Sequence, residues 1–349
     1  MSVFDGIVVG NGIASHVTLY YLSLRLLCLE NKNSLPKRLL ILESPVNKPC
    51  SLYSTCHAGT INARDGISPL GDMIKQSYVK LCEFVKEKNP LGVYEGSLYK
   101  SYDISDEVRP ELSKEKLNLP LESDNIFYGH QANHHFFDPQ IFLDWTKSEY
   151  IKNFNNLNIT VNYKKAHITN IILDGENYNL TSGVDQFKAS SILLTSGAEL
   201  FSIWTKEGWN YPKLTPREGD YLLLKNIDLG DESFSIMIVS TNVIYRHFRK
   251  ELLIGGTTNM PNEYLDKPNN KELRFYHSEF KHFYPTLPDY DKFEIKRGAR
   301  VRGPKRYPYC GELNKGLFAM VGLYKNGFTF PFLMAPPLVE EMIQKNFLK

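Results

Sequence analysis

One stretch near the start constrains this chain more than any other. Val3-Phe-Asp-Gly-Ile-Val-Val9 reads as a short buried strand, apolar and β-branched toward its end. Gly10-Asn-Gly12-Ile-Ala-Ser15 follows at once. Ser15 to Glu30 then reads as a helix, with Val17, Tyr20, Tyr21, Leu24, Leu27 and Cys28 at spacings of three and four. Strand, glycine turn and helix in that order give a G-x-G-x-x-G pattern its meaning. Gly10 permits the tight turn, and Gly12 lets the backbone approach a pyrophosphate. The helix N-terminus, at Ile13 and Ala14, offers N–H groups and a positive dipole to phosphates. Ser15 replaces the third glycine and is small enough to keep helix and strand close. Arg38-Leu-Leu-Ile-Leu-Glu43 reads as a second strand ending in a carboxylate suited to ribose hydroxyls, with 31–36 as an inserted loop before it. The glycines alone fit any α/β turn. The strand, helix and acid around them favour a bound dinucleotide.

The chain has 349 residues, 42% of them hydrophobic and 23% charged. That is ordinary for a globular protein of two domains or one large one. Lys+Arg 41 against Asp+Glu 39 leaves it close to neutral, which argues against a dedicated nucleic-acid binder. Five scattered cysteines show no CxxC pair and no zinc spacing, so no metal and a reducing compartment are expected. No apolar run reaches the roughly 18–20 residues of a membrane span, and the opening residues lack a signal-peptide pattern. The expectation is a cytoplasmic protein with no membrane partner.

Flavin and nicotinamide proteins share such an opening, and later segments separate them. Ser54-Thr-Cys-His-Ala-Gly-Thr-Ile61 fits a small-residue turn beside a flavin, and Phe137-Asp-Pro-Gln-Ile-Phe-Leu-Asp144 fits a "D-P-x-x-x" helix entry. Ser191-Ile-Leu-Leu-Thr-Ser-Gly-Ala198 fits the strand and turn that close over a dinucleotide, and Leu253-Ile-Gly-Gly-Thr257 fits a "v-x-G-g-T" strand. Gly298-Ala-Arg300 through Tyr307-Pro-Tyr-Cys-Gly311, and Leu317 through Gly327, are the most specific stretches. In this order the segments resemble the D-amino-acid oxidase/glycine oxidase family of FAD-dependent oxidoreductases. The resemblance implies an α/β fold, with a Rossmann-like FAD-binding domain and a mixed antiparallel-sheet substrate domain. The FAD domain would comprise 1–85, 138–212 and 296–349, and the substrate domain 86–137 and 213–295. Gly92–Tyr102, Tyr221–Lys225, Ser233–Tyr245 and Leu252–Thr257 read as strands of the latter, and Lys271–Phe283 as a helix across it. Ala335–Ile343 would be the closing helix.

The implied reaction is oxidation of the C–N bond of a small amino acid or secondary amine, by hydride transfer to flavin N5. The implied cofactor site comprises Gly10, Gly12, Ile13, Ala14, Glu43, Ser54, Thr55, His57, Ala58, Gly197, Gly322, Asn326, Gly327, Phe328 and Thr329. The catalytic candidates are Arg300, Lys325 and Tyr245. Arg300 stands where the family's carboxylate-binding arginine stands, and the other reading is a surface arginine among its basic neighbours. Lys325 takes the place of an arginine beside the flavin, or is a turn lysine. Tyr245 lies one residue out of register with a family tyrosine and fits a core strand equally well.

The sequence departs from the family around Arg300. Val301 replaces a proline, Lys305 replaces an aspartate, and six basic residues with no acid run from Lys296 to Arg306. Such a run is a solvated face or a pocket mouth for a more anionic substrate. His57 lies in a context like that of histidines joined covalently to flavin in sarcosine and dimethylglycine dehydrogenases; the other reading is an unbonded neighbour. His130, His134 and His135 read as polar surface or pocket rim, and Pro216-Arg-Glu-Gly-Asp220 as a turn. Two further readings stay open, a biosynthetic flavoprotein acting on a carrier-bound amino acid and an oxidase acting on a modified tRNA base.

Overall fold

The computed structural model describes residues 2–29, 37–45, 50–60, 66–102, 127–199, 214–238, 241–258 and 268–348. The expected inserted loop at 31–36 lies outside them. The fold is mixed α/β, as the sequence led us to expect, and contains three sheets.

The expected first strand is two. β1 (Ser2–Phe4) and β2 (Gly6–Val9) are separated at Asp5 and enter different sheets. Asp5 is tied to β3 (Lys37–Glu43): its N–H donates to the Arg38 carbonyl and its carboxylate accepts from the Arg38 N–H. Only β2 is apolar throughout, with Ile7, Val8 and Val9 buried.

β2 and β3 sit in a six-stranded sheet with β7 (Ile159–Lys165), β11 (Ile192–Leu194), β17 (Tyr309–Asn314) and β18 (Leu317–Val321), in the order β17-β18-β11-β2-β3-β7. All neighbours are parallel except the edge pair β17–β18. Parallel strands are buried on both faces. Here one face carries α1 (Ile13–Cys28), α3 (Pro139–Asn155) and α5 (Phe330–Gln344), with α2 (Pro69–Lys88) packed outside on α5. Val17, Leu19, Phe142, Phe332 and Leu338 lie in that core. The other face is covered by β1 and a hairpin array of β8 (Asn170–Asp174), β9 (Asn177–Ser182) and β10 (Asp185–Ala189), through Phe4, Ile171, Leu180 and Phe187.

The third sheet has eight strands in the order β16-β12-β15-β14-β13-β5-β6-β4. They are β4 (His57–Ala58), β5 (Val93–Tyr102), β6 (Phe127–Phe137), β12 (Thr215–Lys225), β13 (Ser233–Ile238), β14 (Thr241–Arg246), β15 (Glu251–Gly255) and β16 (Glu294–Arg302). The strand expected over Ser233–Tyr245 is therefore an antiparallel pair, β13 and β14. Both arms are rich in apolar and β-branched residues, so composition alone hides the reversal. The segment 216–220, expected as a turn, is extended inside β12 and pairs with β16 residue for residue. α4 (Asn270–Phe283) crosses this sheet and buries Leu273, Tyr276 and Phe280 on it.

Capping fixes where the helices start. Asp138 accepts from the Ile141 N–H with Pro139 at the first helical position, and the same carboxylate takes both arms of the Arg249 fork at 2.6 and 2.7 Å. α1 differs. Its N-cap is Gly12, no side chain caps it, and no acid sits in its first turn. A helix start without a side-chain cap or an acid is suited to an anionic ligand.

Candidate functional site

A cavity of about 940 Å³ runs from the N-terminus of α1 to the β12–β16 pair of the eight-stranded sheet. Its first end is built by the turn after β2. Gly10 has φ +123°, and a Cβ there would stand 2.7 Å from the Ser196 nitrogen, so the turn lies hard against the end of β11. Only glycine fits. The Ser15 hydroxyl donates to the Gly12 carbonyl at 2.7 Å and is fully buried, so the residue in the third-glycine position closes the helix start without adding bulk. Gly10, Gly12, Ile13 and Ala14 line the cavity, as does Glu43 at the C-terminal end of β3.

The middle is lined by Ser54, Thr55, His57, Gly197, Gly322, Gly327 and Phe328. Gly197 and Gly322 have φ of +61° and +77°, which bends the chain around the space. Three expected cofactor residues do not line it. Ala58 is buried in β4 opposite His135. Asn326 and Thr329 hold the turn into α5, where the Asn326 carbonyl accepts from the N–H groups of Thr329 and Phe330. They shape the wall from behind.

His57 Nδ1 lies 2.8 Å from His134 Nε2, so one ring donates to the other, and burial holds the His134 pKa well below its usual value. Burial, reinforced by Arg246, lowers the His57 pKa from 6.5 to about 4. His134 and His135 are 1% and 3% exposed, which corrects the expectation of surface or rim residues. Being adjacent on β6, they point to opposite faces, His134 against His57 and Phe136 and His135 against Tyr78, and both faces are covered there.

The far end carries the charge. Arg300 lines the cavity, and its Nη2 donates to the Thr257 carbonyl at 2.9 Å. Arg297 is captured instead by the fully buried Asp220, Nε to Oδ1 at 2.8 Å, with Glu218 at 3.6 Å. Asp220 is further held by the Asn269 N–H, and its own N–H donates to the Thr257 hydroxyl. Lys305 and Arg306 are exposed. The basic run is thus sorted one residue at a time. Lys325 lines the cavity while remaining exposed, and partial desolvation lowers its pKa, with Arg300 and Arg306 adding to the effect against Tyr324 and Glu272.

Tyr245 is not at the cavity. It is fully buried against Phe234, and its hydroxyl donates to the Gly230 carbonyl at 3.2 Å. Strand alternation in β14 turns this ring to the α4 side of the sheet. Sequence reasoning missed Tyr221, Asn242 and Tyr324, which do line it. Tyr221 is two residues from Gly219 on β12 and shares its face, a signal that only the strand assignment of 216–220 makes readable. Burial raises its phenol pKa, so it stays protonated. Among the described residues no group of three or more His, Cys, Asp or Glu is placed to hold a metal ion, and no helix is long and apolar enough to cross a membrane.

This site fits FAD on its own terms. An uncapped helix start, a glycine cradle that a Cβ would fill and a carboxylate at the end of the second parallel strand face one elongated cavity.

Comparison with known proteins agrees. Residues 116–339 match the model of the DAO family, FAD dependent oxidoreductase. Glycine oxidase from Geobacillus kaustophilus is 16% identical, with 99% of this chain and 95% of that one covered at a TM-score of 0.68. Iminodiacetate oxidase from Chelativorans sp. BNC1 is 14% identical, with 97% and 95% covered at 0.77. L-α-glycerophosphate oxidase from Mycoplasma pneumoniae, solved with FAD bound, is 16% identical, with 99% and 95% covered at 0.72.

Proposed function

Because the chain belongs to the DAO family of FAD-dependent oxidoreductases, we propose that it oxidises the C–N bond of a small amino acid or secondary amine bearing a carboxylate. When bound, FAD supplies the two-electron acceptor, taking a hydride at N5. The observation that carries the substrate class is Arg300, a cavity-lining guanidinium with no acid in contact with it among the described residues.

The glycine turn, the start of α1 and Glu43 would hold the dinucleotide. Ser54, Thr55, His57 and the wall from Gly322 to Phe328 would surround the ring end. Arg300 has one arm fixed on the Thr257 carbonyl. Its remaining N–H groups are free to make a planar, charge-assisted pair with a carboxylate. Asp220 keeps Arg297 out of that role by neutralising it. Neutral His57 and protonated Tyr221 add no charge near the reacting carbon. The amine must arrive unprotonated, and a cationic wall at Arg300 and Lys325 favours that form.

Anaerobic mixing with a panel of free amino acids and N-methyl amino acids tests the reading. Bleaching of the flavin by at least one carboxylate-bearing amine is expected. Bleaching only by amines without a carboxylate would remove Arg300 from its role.

A further inference from the structure

The cations at the Arg300 end are unevenly matched. Lys296 pairs with Glu294 at 2.7 Å, and Arg297 with Asp220 at 2.8 Å. Arg300 meets a neutral carbonyl, and Lys325 makes no ion pair or hydrogen bond with a described acid. Glu272 acts on Lys325 only at longer range, its carboxylate being engaged by Asn269 and Tyr276.

Both cations approach the Tyr324 ring. Arg300 Cζ lies 5.5 Å and Lys325 Nζ 5.8 Å from the centre of the Tyr324 ring. A ring face stabilises each charge weakly but does not neutralise it. Exposed Arg306 adds positive potential on the Lys325 side. Like charges held near one another without an acid repel, and a ligand in the cavity displaces water from the half-buried Arg300. One carboxylate on Arg300 would leave Lys325, exposed beside it, without an anionic partner. A ligand with two anionic groups satisfies both.

We propose that the substrate carries two anionic groups, one held by Arg300 and the second by Lys325, with the Tyr324 ring as the platform between them. This rests on the reading of Arg300 given above and narrows its substrate class. Arg300 offers a planar fork, suited to a carboxylate. Lys325 is a point charge with three donors and accepts a carboxylate or a phosphate equally well.

The test is a binding titration of the FAD-loaded protein, followed by flavin absorption, with acetate, oxydiacetate and 2-phosphoglycolate. None of the three has an oxidisable amine. One or both dianions should bind at least about tenfold tighter than acetate, and the better one names the second group. Lys325→Gln should remove that preference, and Arg300→Gln should weaken all three ligands. Equal affinities in the unaltered protein, or a preference that survives Lys325→Gln, overturns the proposal. So does a Lys325→Gln variant that keeps the preference and loses only its rate of reoxidation by oxygen. Acetate binding indifferent to Arg300→Gln would instead sink the carboxylate anchor, while the dependence of the dianion preference on Lys325 still decides the second subsite.

Discussion

The Arg300 guanidinium occupies the space that a side chain at position 219 would need. A Cβ on Gly219 would stand 2.1 Å from Arg300 Nη2 and 2.6 Å from the Thr257 carbonyl oxygen that accepts from that same Nη2. Gly219 is paired across β12–β16 with Gly298, so both strands lack a side chain beneath the guanidinium.

Gly219→Ala should therefore push Arg300 off the Thr257 carbonyl. We expect catalytic efficiency to fall by about tenfold or more, roughly 1.4 kcal/mol of transition-state stabilisation, mainly through a higher KM. Flavin content should stay normal. Steady-state kinetics beside a flavin-to-protein absorbance ratio check both, and an alanine variant with unchanged KM would show that the slot is not needed.

Arg300→Ala should cost on the order of 2–5 kcal/mol, mostly because the substrate carboxylate is left unpaired. That is a loss of about 30- to 4,000-fold in kcat/KM. Arg300→Lys should recover only part, since an ammonium cannot reproduce the fork. Arg306→Ala is the control, being exposed, and should lose less than about tenfold.

Gly12→Val should give folded but colourless protein. The substitution costs about 1 kcal/mol or less at an N-cap and puts a branched side chain where the pyrophosphate approaches. In the unaltered protein, acid precipitation should release the colour into the supernatant, because the flavin is held without a covalent bond. Colour retained in the pellet and lost in His57→Ala would reverse that conclusion.

The protein should lose stability as pH falls from about 6.5 toward 4. His16 is 3% exposed in α1, and burial lowers its pKa from 6.5 to about 4; His57 shifts likewise. The unfolded chain binds these protons first, so folding weakens through that window and is unaffected by these groups above it. The His16 shift alone corresponds to roughly 3 kcal/mol at its limit. Urea midpoints measured at pH 7 and pH 5 should separate, and His16→Gln should narrow the gap. A midpoint flat across that interval would contradict it.

Some of this molecule could be read from its sequence, because the signals are local. The β2–Gly10–Gly12–α1 unit is a matter of glycine freedom and of period-two and period-3.6 patterning within thirty residues. Glu43 ends its strand for the same reason, and α4 and α5 follow their own apolar stripes. Arg300 and Lys325, singled out by the order of short motifs, both line the cavity.

What decided the rest was pairing between distant strands. No local pattern in the run from Lys296 to Arg306 says which cation faces the cavity. Asp220 selects Arg297 from 77 residues away, and Gly219 and Thr257 seat Arg300. Tyr245 was lost to the core, and Tyr221 gained for the cavity, because strand alternation turned one ring toward α4 and the other into the space. Val3–Val9 became two strands when β10 claimed one half and β11 the other. Register is fixed by what a strand lies beside, and a one-residue change of face reverses every side chain on it. The sequence determined which residue types were on hand, and the tertiary structure determined which of their charges were left unpaired.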